Sequence, residues 1–203
     1  MFCEVIAEMD IEYVIHHLIA VDQGSKSYED TRHVYLELFR HHALSGLQWK
    51  YHVMPWQQAV CSDIDWEIYS LKLNYVECAK TTFQNMEEGV LYYPSFRTFP
   101  LVDMYYKDAL GELVGIQATT SKKHPKTVST YKKFYGEIGT TPENTPLKLY
   151  YLIIPRQIES YQQNSYSDGQ FWLDVKQGIG SEWRNNITFY ALVPPNNFRN
   201  FAS

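Results

Sequence analysis

A chain of 203 residues with 45% hydrophobic and 16% aromatic content is long enough to bury one substantial core. No run approaches the ~18 uninterrupted apolar residues of a membrane span, and Cys3, Cys61 and Cys78 are odd in number and lack CxxC spacing, so neither a disulfide framework nor a zinc ribbon is indicated. A net charge of −5, from 18 basic and 23 acidic residues, argues against strong non-specific affinity for nucleic acid over the whole surface.

The first 30 residues carry seven acids and one lysine. Val5 to Ala20 reads as one or two amphipathic helices and Val21 to Glu29 as a polar loop. Residues 1–28 are therefore expected to form an acidic helical extension, and residues 29–203 a single domain with C-terminal additions. Glu4, Glu8, Asp10 and Glu12 do not suit a cleaved secretion signal or a mitochondrial presequence. Thr31 to Leu44 then reads as a helix containing Glu37, and Leu47 to Met54 as a first strand. The neighbouring pairs His16-His17 and His41-His42 would point about 100° apart on a helix, so neither makes a chelating face for zinc. Trp56 to Phe83 reads as mainly helical, with Trp66, Tyr69, Leu73 and Val76 on one core-facing stripe.

The richest stretch is Leu91 to Ile138. Leu91 to Phe96 is aromatic and contains Pro94, and Pro100 fixes the backbone before Leu101-Val102-Asp103-Met104-Tyr105-Tyr106, which reads as a strand. Lys107 to Glu112 holds Asp108 and Gly111, a tight connection, and Leu113 to Thr120 returns as the partner strand of a hairpin. Strand alternation puts Gln117 and Thr119 on one face and Ile116 and Ala118 on the other, and pairing about the 107–112 turn brings Asp103 near Gln117, so that two oxygen donors converge. Beyond Ser121-Lys122-Lys123-His124-Pro125, the residues Val128, Tyr131, Phe134, Tyr135 and Ile138 recur at helical spacing, with Pro125 in the first turn.

Charge singles out the same stretch. Residues 113–136 hold Lys122, Lys123, Lys126, Lys132 and Lys133 and no acid, a local charge of +5 in an acidic chain. Such a patch attracts anions, phosphate foremost, although a solvated helix face has the same composition. Asp103 also has two readings: a ligand of metal or substrate, or an acceptor for backbone donors at the edge of the hairpin. Glu37 either faces the site or pairs along its own helix with Arg40 or His41.

Leu147 to Ile154 reads as a buried strand, residues 156–186 as a long polar connection with a short helix at Phe171 to Gln177, and Ile187 to Val193 as a final strand stopped by Pro194-Pro195. No GxxxxGK[ST] loop, GxGxxG turn or serine nucleophile elbow is present, which removes the common nucleotide-hydrolysing and acyl-transfer classes.

Leu91-Tyr92-Tyr93-Pro94-Ser95, Phe99-Pro100-Leu101-Val102-Asp103, Leu113-Val114-Gly115-Ile116-Gln117-Ala118-Thr119-Thr120 and then His124 resemble, in this order, the PD-(D/E)xK nuclease superfamily. More narrowly they are similar to the restriction-endonuclease-like domain of Crinkler effectors and of the retrotransposon hot spot proteins of trypanosomes. His33 to Gly46 resembles the family's earlier helix, whose inward carboxylate would be Glu37 and whose nearby histidine would be His41 or His42. Together these blocks cover about residues 30–155.

The resemblance implies an α/β fold with a restriction-endonuclease-like core, a mixed central sheet flanked by helices. It implies a hydrolase in which Glu37, Asp103 and Gln117 hold Mg²⁺ or Mn²⁺, and DNA or RNA lies along Lys122, Lys123, His124, Lys126, Lys132 and Lys133. An active family member carries Asp or Glu at Gln117 and lysine at Thr119. Either Lys122 or Lys123 supplies the catalytic lysine here, or the domain is a degenerate nuclease that binds nucleic acid or a host protein without cutting it. The family context further implies an intracellular, nuclear setting, in a host nucleus for a secreted effector. It also implies an upstream nucleotide-hydrolysing module in a longer chain.

Overall fold

The computed structural model describes residues 48–53, 67–77, 79–94, 99–119, 127–153, 183 and 185–193, together with Leu36, Phe39 and Arg40. These form an α/β arrangement: one mixed sheet with a helix packed on one face. The strands are β1 (Gln48–Val53), β2 (Glu67–Ser70), β3 (Tyr75–Glu77), β4 (Val90–Tyr92), β5 (Met104–Lys107), β6 (Leu113–Thr119), β7 (Leu147–Ile153) and β8 (Ile187–Val193), in the spatial order β2-β1-β8-β7-β6-β5-β4-β3. β6, β7 and β8 run parallel, β5 and β4 flank them antiparallel in turn, and β3 adds parallel to β4.

The central strands are apolar on both faces, as parallel strands covered on both sides must be. On β6 Leu113 joins one buried cluster while Val114, Ile116 and Ala118 join the other, and β7 and β8 alternate in the same way. The first cluster is covered by helix α1 (Val128–Ile138), whose Tyr131, Phe134, Tyr135 and Ile138 recur at i, i+3, i+4 and i+7. The opposite face is covered by Leu36 and Phe39, both helical. Each such aromatic or leucine contributes about 1.5–3 kcal/mol by burial, which makes the two faces the main source of stability.

Local chemistry sets the boundaries. Thr127 caps α1, its hydroxyl accepting from the Thr130 N–H, and Gly139 ends it in the left-handed region at φ 68°, where glycine carries no Cβ penalty. The β5–β6 turn closes on Asp108, whose Oδ1 accepts from the N–H groups of Leu110 (3.0 Å) and Glu112 (2.8 Å), while Gly111 supplies the positive φ. Lys148 of β7 ties this turn down through Asp108 Oδ2 at 3.0 Å and through Glu112. Burial lowers the pKa of Lys148, but its hydrogen bonds to Glu112 and Asp108 outweigh that and raise it.

Several expectations are met. The first strand, the hairpin, the helix after it, the Leu147–Ile153 strand and the Ile187–Val193 strand are present. Three need correction. The helix expected over Trp56 to Phe83 is replaced, where described, by β2, β3 and a single 3₁₀ turn at Phe83–Asn85. Leu71 and Leu73 both pack on the second cluster, a period of two that won over the helical stripe read through Tyr69, Leu73 and Val76. α1 begins at Val128 under its Thr127 cap, three residues after Pro125. The strand expected from Leu101 begins only at Met104, because Leu101 has φ 71° and cannot continue a ladder. The N-terminal extension over residues 1–28, the paired histidines, the cysteines and the helix expected at Phe171 to Gln177 lie outside the described residues. No helix among the described residues is long and apolar enough to cross a membrane.

Candidate functional site at the carboxyl end of the parallel strands

The hairpin register decides where the site forms. Met104 pairs with Ile116, so Asp103 stands opposite Gln117, and the parallel ladders extend that row through Tyr151 of β7 to Ala191 of β8. Alternation puts Gln117 and Tyr151 on the face covered by α1. Tyr131, early in α1, lies over Tyr151, whereas the Tyr135 hydroxyl reaches back to the carbonyl of Thr145 before β7 starts. The first turn of α1 therefore lies at the carboxyl ends of β6 and β7, the end that carries Asp103 and Gln117. Open α/β sheets bind ligands at this end.

Asp103 is half-buried and held from three directions. Its N–H donates to the Ile116 carbonyl at 2.8 Å, and its Oδ2 accepts from Gln117 Nε2 at 2.9 Å and from the Ala118 N–H at 2.8 Å. Hydrogen bonds to an ionised acceptor contribute about 1.5–3 kcal/mol each, so the carboxylate is fixed in direction. Gln117 is 5% exposed, and its Nε2 also donates to the Ala118 carbonyl at 3.1 Å. The expectation that two oxygens converge is thus corrected in one respect: the amide nitrogen of Gln117, not Oε1, faces the carboxylate. Electrostatics gives the reason, since a carboxylate oxygen at this distance attracts N–H and repels a carbonyl.

An amide turns over at the cost of those hydrogen bonds, and 2.9 Å is close to the separation of neighbouring ligands on an octahedral Mg²⁺ with bonds of about 2.1 Å. The pair therefore fits one edge of a hard-cation site once Gln117 presents Oε1. Among the described residues no group of three or more His, Cys, Asp or Glu converges.

The approach to Asp103 is unusual. Val102 N–H donates to the Pro100 carbonyl at 2.9 Å, a three-residue γ-turn with Leu101 at its centre and φ 71°. A leucine in the left-handed region costs about 1–2 kcal/mol. Full burial of its side chain, which is 2% exposed, contributes about 1.5–3 kcal/mol, so packing holds the turn closed. Val102 lies directly on Gly115, where a Cβ would sit 2.6 Å from Val102 Cγ1. Glycine is required there by close approach.

Tyr151 and Tyr131 extend the polar row inward. Burial raises the pKa of both hydroxyls above the usual tyrosine value, and the two approach one another without reaching hydrogen-bond geometry. Sequence reasoning missed this pair, the Ala118 N–H and the turn at Leu101. A backbone donor has no residue signature, and Tyr151 is marked only by lying one strand over from Gln117 once the register is known.

Asp103 and Gln117 are the expected site residues that the fold brings together. Lys132 and Lys133 are exposed on the outer side of α1, away from the face packed on the sheet. Glu37, Lys122, Lys123, His124 and Lys126 lie outside the described residues, although the neighbouring Leu36 packs on the face opposite α1. Comparison with protein-family models, with curated proteins and with solved structures gives no match to this chain.

Proposed function

We propose that the chain is a nuclease-like domain with a restriction-endonuclease-like core, acting on DNA or RNA phosphodiesters at a centre built on Asp103 and Gln117. The observation that carries this reading is the meeting of the two side chains across the β5–β6 hairpin, at the carboxyl end of β6, with lysine-bearing α1 next in the chain. Mg²⁺ or Mn²⁺, when bound, polarises the phosphate and lowers the pKa of a water. Asp103 and Gln117 would hold it, with Glu37 as the third ligand that the resemblance implies. Lys122 or Lys123 supplies the ammonium that active relatives carry at Thr119. Lys126, Lys132, Lys133 and His124 take the phosphate backbone, a contact that weakens with salt.

A second reading is favoured by the direction of the Gln117 amide. A neutral N–H donor satisfies Asp103 without a metal, which suits a degenerate nuclease fold that binds nucleic acid or a host protein and does not cut. Labelled single- and double-stranded DNA and RNA, incubated with Mg²⁺, Mn²⁺ or EDTA, separate the two. Metal-dependent cleavage abolished by Asp103→Asn supports the nuclease. Salt-sensitive binding without cleavage, weakened by Lys132→Ala/Lys133→Ala, supports the binding module. Neither cleavage nor binding removes both nucleic-acid readings.

A further inference from the structure

The amide nitrogen of Gln117 stands between two acceptors. It donates to Asp103 Oδ2 at 2.9 Å and to the Ala118 carbonyl at 3.1 Å, which matches the two protons of an amide nitrogen. With the two ends of the amide exchanged, Oε1 would face a carboxylate oxygen and a carbonyl oxygen, and none of the three has a proton to give. Gln117 is 5% exposed, so solvent does little to screen that repulsion. Positive charge beside Asp103 reverses the preference, because carboxylate and amide oxygens are both ligands of hard divalent cations. The two orientations of the amide therefore answer to two different occupants. A glutamate at this position would have no such choice, since both of its ends are oxygen.

We propose that Gln117 is a cation-operated switch: its amide points N–H at Asp103 when no divalent ion is bound and turns Oε1 inward when Mg²⁺ or Mn²⁺ enters. This inference rests on the reading of Asp103 and Gln117 as a metal centre. Turning the amide gives up its bonds to Asp103 and to the Ala118 carbonyl, so Gln117 sets the threshold for metal binding. One such bond to a charged acceptor lowers the affinity by about tenfold. The Ala118 N–H donates to Asp103 Oδ2 independently of the amide, so the carboxylate keeps its direction while Gln117 turns.

The test is NMR of the full wild-type chain. The Ala118 N–H and the Gln117 amide donate to the same oxygen, so their protons lie close enough for a nuclear Overhauser effect. Gln117→Met identifies the side-chain resonances, and MgCl₂ is then titrated from EDTA while calorimetry follows binding. The expected result is a cross-peak between the two amides in EDTA that is lost in proportion to the Mg²⁺ bound. A shift caused by nearby charge alone would leave the cross-peak in place. Mg²⁺ binding with the cross-peak intact overturns the proposal and leaves the metal centre standing, with Gln117 a fixed donor to Asp103. A cross-peak missing in EDTA overturns it as well, because the amide then has no N–H to withdraw. Absence of Mg²⁺ binding overturns the proposal together with the metal-dependent reading and leaves the binding module.

Discussion

Gln117 donates its side-chain amide to Asp103 Oδ2 over 2.9 Å, so the carboxylate meets a neutral amide donor across the hairpin. The Ala118 N–H reaches the same oxygen. Removing the acceptor takes a partner from each donor, one of them on a buried side chain, although the Gln117 amide keeps the Ala118 carbonyl. Asp103→Ala is therefore expected to cost about 1–3 kcal/mol in urea unfolding. Asp103→Asn keeps an acceptor oxygen and should cost less than 1 kcal/mol on the same scale, while removing any binding of Mn²⁺ followed by calorimetry.

Gln117→Glu turns the pair into two facing carboxyl groups. Like charges at this distance cannot both ionise freely, so one folded-state pKa rises above the ordinary value of about 4.3. A raised pKa stabilises the fold below the unfolded value, and that stability is lost as pH rises through the folded one. The variant should melt at a higher temperature near pH 4 than near pH 8, relative to wild type. Mg²⁺ or Mn²⁺ should restore the loss at pH 8, and thermal scans with and without EDTA check both effects.

Burial raises the pKa of Tyr106, Tyr131, Tyr151, Tyr135 and Tyr105 above the ordinary value of 10.0. The unfolded chain ionises these groups near pH 10 and the folded chain does not, so their stabilising contribution is full below pH 10 and is lost above it. Tyrosinate absorbance should show an exposed set of the 17 tyrosines titrating first, and a buried set ionising only together with unfolding.

Gly115→Ala places a methyl group 2.6 Å from Val102 Cγ1 and 3.4 Å from the methyls of Leu147 and Leu149. Such overpacking costs about 1–3 kcal/mol. Because Val102 adjoins Asp103, the Ala118 amide resonance should move as well, which separates this variant from an ordinary core defect.

At the far end of the hairpin, Asp108→Ala should be worse than Lys148→Met. Asp108 accepts two turn N–H groups as well as Lys148, so its loss should cost about 1–2 kcal/mol. The ion pairs of Lys148 are partly exposed to solvent and contribute under about 1 kcal/mol. Urea midpoints at low and high salt rank the two.

The hairpin, α1 and the two long parallel strands were legible because their signals are local: Asp108 and Gly111 for the turn, Tyr131 and Phe134 for the period of the helix, and runs apolar or aromatic but for Lys148 and Thr188 for β7 and β8. The meeting of Asp103 with Gln117 followed from counting residues about that turn. β2 and β3 were missed because short edge strands offer few periods, and aromatic residues spaced three or four apart imitate a helix over so short a stretch. The left-handed Leu101 was invisible for a different reason. Leucine carries no preference for positive φ, and only the packing of Leu101 and Val102 on one side makes the conformation worth its cost.

β8, the latest strand of the described chain, does not sit at an edge. It lies between β7 and β1, pairing parallel to one and antiparallel to the other. Until residues 187–193 have left the ribosome, β1 and β2 have no ladder joining them to the rest, and β7 exposes an unpaired apolar edge. The nascent chain must therefore hold the hairpin–α1–β7 unit as an open half-sheet, a form prone to pairing with other chains, and close the sheet only after β8 has emerged.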